Sequence, residues 1–173
     1  YGSSAITLQA LRSRMPVWSL SRRKDELWKE RGGACEAQKG LEMVGKLIVI
    51  EGIDGSGKST QLDLLKAKLG QAGELFRYQR FPRYDDPSSI LVRMYLGGEF
   101  GNDPCATNPY TASAYFAVDR AAAFAGELGS FYRSGGTVLC DRYTTSNAIY
   151  QAAKMKADER EEFAQWLFDF EYN

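Results

Sequence analysis

The sequence predicts an α/β fold in three layers, with a central parallel sheet between helices, and three observations carry that prediction. Short β-branched apolar runs recur along the chain, stretches with helical spacing stand between them, and a glycine-rich turn joins the first run to the first such stretch. Parallel strands need a long crossover between them, and an amphipathic helix fills it, so alternation of the two patterns points to a layered fold. At 173 residues the chain fits one domain and is long enough to bury a core.

Residues 1–42 fit neither pattern. They hold 8 Lys or Arg against 5 Asp or Glu, a net of +3, so the remainder carries −3. The one helical stretch, near residues 21–31, is broken by Gly32 and Gly33. Three readings compete: an Arg- and Ser-rich transit peptide, since acidic residues are absent before Asp25; a functional arm; or upstream sequence joined to a domain that starts at Met43. The chain begins with Tyr1, which favours the third, with residues 1–42 an N-terminal extension and residues 43–173 the domain.

Within that domain, "KLIVIEG" (46–52) is an apolar run ending at Gly52, as in strands buried on both faces of a parallel sheet. "KSTQLDLLKAKLGQAG" places Leu62, Leu65 and Leu69 at helical spacing and stops at glycines. Residues 74–81, "ELFRYQRF", read as the second strand. Residues 86–98 and 108–136 read as helices, each opening on Asp or Asn as cap with Pro at the first helical position. "GTVLCDRY" (136–143) is the third strand, and residues 144–156 and 158–172 are the closing helices.

Composition narrows the function classes. Lys plus Arg equals Asp plus Glu at 22 each, so no overall charge draws the chain to nucleic acid or an anionic membrane. No apolar run approaches the ~20 residues of a membrane-spanning helix. Any basic patch must therefore be local, as in an anion site. Cys35, Cys105 and Cys140 lie far apart without the paired spacing of zinc sites or disulfide frameworks. They read as free thiols of a cytoplasmic protein, with Cys140 a packed core thiol.

The glycine-rich turn carries chemistry. In "VIEGIDGSGKSTQ" (49–61), Gly52, Gly57, Lys58 and Ser59 fit G-x-x-x-x-G-K-[ST] between a strand and a helix, the context of a P-loop NTPase. Glycines let the backbone curl so that successive N–H groups surround phosphate oxygens, and the helix N-terminus adds its positive end. Asp54, Gly55, Ser56 and Thr60 complete the set expected around ATP. Lys58 would hold its β- and γ-phosphates, and Ser59 would offer a hydroxyl to Mg²⁺. The loop leaves the phosphate acceptor open.

Acceptor residues are sought at the carboxyl ends of the strands, where open parallel sheets bind ligands. Phe81, Pro82, Arg83 and Tyr84 follow the second strand; Asp141, Arg142 and Tyr143 follow the third. An arginine fork at that rim suits a second phosphate. Phe116 and Arg120, four residues apart, share a helix face and suit a base, one by stacking and the other by hydrogen bonding to its edge. Ser146, Asn147 and Tyr150 share a face of the helix after Arg142.

"EGIDGSGKSTQ", "FPRY", "YFAVDRA" and "DRYTTSNAIYQ", in that order and spacing, resemble the thymidylate kinase family over residues 43–173. The resemblance implies phosphoryl transfer from ATP to dTMP, giving dTDP and ADP in dTTP biosynthesis, with Mg²⁺ and a homodimer. It implies that Phe116 stacks on thymine, Arg120 bonds O4, Asn147 bonds the amide edge, and Tyr150 stands under the sugar against a 2′-hydroxyl. Asp54 would hold the 3′-hydroxyl or the metal region, Arg142 would clamp the dTMP phosphate with Tyr84, and Asp141 would position Mg²⁺ through water. Lys58, Asp54 and Arg142 would be catalytic, with Phe81 and Ser146 in the acceptor site. Some members carry an Arg where this chain has Gly55, and others supply the catalytic Arg from a lid that would follow residue 173. The family's sheet has five strands against three here, so one sheet edge should lie uncovered. Two alternatives stay open: another nucleoside or nucleotide kinase, and an incomplete module that binds nucleotides without transferring phosphate.

Overall fold

The computed structural model describes residues 8–10 and 45–173; the helical stretch expected near residues 21–31 and Cys35 lie outside the described residues. The sheet comprises β1 (Leu8–Ala10), β2 (Lys46–Ile50), β3 (Phe76–Arg80) and β4 (Thr137–Asp141), in the order β1-β2-β4-β3. β2, β4 and β3 are parallel, as the alternation of patterns predicts. Ile50 and Arg80 both pair with Asp141, so the three strands end level and their carboxyl ends make one rim.

Successive side chains of a strand point to opposite faces, and the core divides accordingly. Leu47, Val49, Val138 and Cys140 pack on one face against Ala123, Leu128 and Tyr132, from α3 (Pro109–Ala125) and α4 (Glu127–Arg133). Ile48, Ile50 and Leu139 pack on the other against Leu62, Leu65 and Leu69 of α1 (Lys58–Gln71). The result is the expected three-layer α/β architecture. α2 (Ile90–Leu96) follows a 3-10 turn at Pro87–Ser89, and α5 (Thr144–Ala152) and α6 (Arg160–Tyr172) close the fold around Phe163 and Leu167. Among the described residues, no helix is long and apolar enough to cross a membrane.

Two local expectations change. Residues 108–136 are not one helix: the backbone of Gly126 departs from helical values (φ −93°, ψ −147°), which separates α3 from α4. The strands are shorter than their apolar patterns, so Phe81, Arg142 and Tyr143 lie just beyond them, on the rim. The edge of β2 away from β4 carries β1 in antiparallel register, with Leu8 opposite Ile50, and among the described residues the outer edge of β3 pairs with no strand. Cys140 is buried, as expected, and burial pushes its thiol pKa far up, which leaves it inert.

Candidate active site

The phosphate loop follows β2 directly. Gly55 and Gly57 take left-handed conformations (φ 77° and 83°), which side chains with a Cβ adopt at a cost. Gly55 has open space where a Cβ would point, so the turn, and not crowding, favours glycine there. At Gly52 the constraint is contact: a Cβ would stand 2.6 Å from Ser56 Oγ. Ser56 N–H donates to Ile53 O at 3.2 Å, which closes the curl. Gly57 caps α1 without a side chain, so no side-chain oxygen competes for the first N–H groups of that helix. Lys58 opens α1 and is only 9% exposed, with no salt bridge among the described residues. A buried cation at the start of a helix, after a turn of left-handed glycines, suits an anion. Ser59 and Thr60 sit exposed on the first turn.

Beside the loop opens a cleft of about 360 Å³. Asp54, Phe81, Tyr84, Phe116, Arg120, Arg142, Ser146, Asn147 and Tyr150 all line it, so the residues that the resemblance assigns to the acceptor meet at one place, while Arg83 and Asp141 do not line it. The level rim makes this possible, since residues after β3 and β4 converge there with α3 and α5.

The charged residues divide by what they hold. Arg142 has φ 66°, a conformation that costs a non-glycine residue of order 1–3 kcal/mol. Its Nη2 donates to Asp54 Oδ1 at 2.6 Å, and its guanidinium carbon lies 5.6 Å from the centre of the Tyr150 ring. Burial works to lower its pKa, but the Tyr150 hydroxyl and the Asp54 and Asp141 carboxylates more than offset this, so it stays charged. Arg120, 4% exposed, gives Nε and Nη2 to Glu171 of α6, with Nε 2.6 Å from Oε2. Nη1 lies outside that pair. Arg83 is no phosphate clamp, contrary to what its place after β3 suggests. Its Nε donates to the buried Asp119 at 3.0 Å, its Nη2 to Ser88 Oγ at 2.6 Å, and its Nη1 lies 3.1 Å from Asp86. It fastens the rim to α3.

Neutral groups in the cleft are left open. Asn147, 5% exposed, donates Nδ2–H to Ser113 O at 3.2 Å, while its Oδ1 and the Ser113 Oγ are buried without a partner. That bond fixes the amide orientation. Phe116 meets Tyr95 edge to face at 6.1 Å. Phe81 is buried and packs against Tyr143 at 5.7 Å, so it supports the cleft wall from the core. Asp141, at the end of β4, accepts from Tyr78 O–H at 3.4 Å through Oδ2, and its Oδ1 is buried and unpartnered.

Sequence reasoning did not reach Tyr95, Gln151 and Lys154, which also line the cleft. Tyr95 O–H donates to Gln151 Oε1 at 3.3 Å and accepts from Lys154. Lys154 lies four residues after Tyr150 and seven after Asn147, spacings that share a helix face and could have marked it. Nor did it reach Glu51, whose carboxylate caps α5.

The sequence pattern of the thymidylate kinase family matches residues 50–164. A thymidylate kinase from Mycobacterium tuberculosis is 34% identical over 127 residues, covering 73% of this chain and 58% of the relative. One from Pelotomaculum thermopropionicum is 37% identical over 109 residues, covering 63% of this chain and 49% of the relative. The solved thymidylate kinase from Candida albicans superposes with a TM-score of 0.57 at 27% identity, over 73% of this chain and 56% of that one. The chain thus spans roughly half the length of the relatives it matches. On these matches, the chain belongs to the thymidylate kinase family.

Proposed function

We propose that the protein transfers a phosphoryl group from ATP to dTMP, giving dTDP and ADP. The observation that carries this reading is Asn147: a buried, unpartnered carbonyl oxygen in a cleft that also holds an aromatic ring, Phe116, and an arginine, Arg142. An oriented acceptor of this kind takes the N3–H of thymine, Phe116 gives the base a face to stack on, and Arg142 holds the 5′-phosphate beside the loop. Arg120 would give Nη1 to O4, and the Tyr150 ring would occupy the space of a 2′-hydroxyl. Tyr84 adds a hydroxyl at the rim.

On the donor side, the N–H groups of Gly55, Gly57 and Lys58 and the Lys58 ammonium surround the β- and γ-phosphates, where preorganised charge lowers the barrier without reorganising. Asp54 ties the loop to Arg142 at 2.6 Å, so donor and acceptor phosphates are brought to adjoining positions. The orphaned Oδ1 of Asp141 fits a role toward Mg²⁺, which Ser59 would ligate from the loop. When bound, the ion neutralises charge on the transferring phosphate.

A titration of the full chain with dTMP, dUMP, UMP and dCMP tests the reading. Cytosine N3 is an acceptor, so it faces Asn147 Oδ1 lone pair to lone pair, a loss of about 1–3 kcal/mol. dTMP should therefore bind about ten-fold or more above dCMP and UMP, with dUMP between. Equal affinity for dCMP and dTMP would favour a different nucleotide kinase, and binding of dTMP without ADP release would favour a nucleotide-binding module.

A further inference from the structure

We infer that Glu51 is a positioning residue that sets Arg142 for the acceptor phosphate. The inference rests on the reading that Arg142 holds that phosphate. Arg142 stands in a left-handed conformation that a side chain with a Cβ adopts only when its surroundings impose it. Two consecutive chain segments impose it. Arg142 N–H donates to Ile50 O at 3.1 Å, a bond to backbone that any residue at position 50 supplies. The next N–H, of Tyr143, donates to Glu51 Oε1 at 2.9 Å, and only an acceptor side chain at position 51 supplies that.

The same carboxylate reaches further. Glu51 Oε1 accepts from Ser146 N–H at 3.1 Å, and Oε2 accepts from the Ser146 hydroxyl. Ser146 Oγ in turn accepts from Arg142 Nη1 at 3.4 Å. Glu51 thus fixes Arg142 at both ends, through the backbone after it and through the hydroxyl beside its guanidinium. Position 51 also lies between the last residue of β2 and Gly52, the first residue of the phosphate-loop motif. The donor loop and the acceptor arginine are therefore held to one another by a single side chain. Three donors converge on its two oxygens, which suits a carboxylate, with acceptors only, and not an amide.

Glu51→Gln, compared with the parent in the full chain, tests this. Affinity for dTMP and for thymidine, which lacks the phosphate, is measured by calorimetry, and thermal unfolding is followed alongside. The substitution should weaken dTMP about 10- to 100-fold, the scale of one charge-assisted hydrogen bond, and leave thymidine binding unchanged. In an Arg142→Ala background, Glu51→Gln should add no further loss for dTMP. Equal weakening of dTMP and thymidine, or unchanged dTMP binding, overturns the inference and leaves the proposed function standing. If the parent chain binds neither ligand, the proposed function fails, and the role of Glu51 fails with it.

Discussion

Asn147 combines two states in one amide: Nδ2 is bonded to Ser113 O at 3.2 Å, and Oδ1 is buried without a partner. An orphaned buried acceptor costs about 1–3 kcal/mol, and a made hydrogen bond returns about 0.5–1.5 kcal/mol. In Asn147→Leu the two effects offset one another. Urea unfolding should then give a stability within about 1 kcal/mol of the parent, while dTMP affinity falls about ten-fold or more. A large loss of stability with unchanged affinity would make Asn147 a framework residue. Such side chains were legible in the sequence because a polar residue on an otherwise apolar helix face needs a purpose. The role of Arg83 was not legible. Its partners, Ser88 and the buried Asp119, are 5 and 36 residues away, and no local pattern marks them.

At the level of elements, chemistry in the first turn sets where the helices of the site begin. Asn108 Oδ1 accepts from Tyr110 N–H at 2.8 Å, with Pro109 at the first helical position, and α3 then carries Phe116 and Arg120 into the cleft. Asn108→Ala should lower unfolding free energy by about 1 kcal/mol, and Asn108→Ser should recover most of it. Affinity for dTMP should stay near that of the parent, because the cap lies two turns from Phe116. Unchanged stability in the alanine variant would show that packing alone sets the start of α3. Caps and starts were readable because they depend on residues two or three apart. The break at Gly126 was harder to place, since a glycine inside a helical pattern is tolerated or not according to what packs around it. The pairing of β1 with β2 had no local signal, since strand pairing depends on residues far away in sequence.

Across the whole molecule, the last helix ties the floor of the cleft together. Glu171 of α6, 6% exposed, meets Arg120 of α3 and accepts from Thr144 Oγ1 of α5 at 2.9 Å; Tyr172 O–H donates to the same Thr144 at 3.0 Å. Three helices thus share one buried ion pair beneath the cleft. Burial would lower the Arg120 pKa, and the Glu171 carboxylate more than offsets it, so the guanidinium remains charged. A buried pair contributes little net stability relative to apolar side chains, but removing one partner strands the other charge, at about 3–5 kcal/mol. Glu171→Ala should therefore unfold at markedly lower urea. Arg120→Leu with Glu171→Leu should recover most of that loss while weakening dTMP, because the stability penalty belongs to the stranded charge and the binding penalty to the missing guanidinium. If Glu171→Ala costs less than about 1 kcal/mol, water reaches the pair and the three helices do not depend on it.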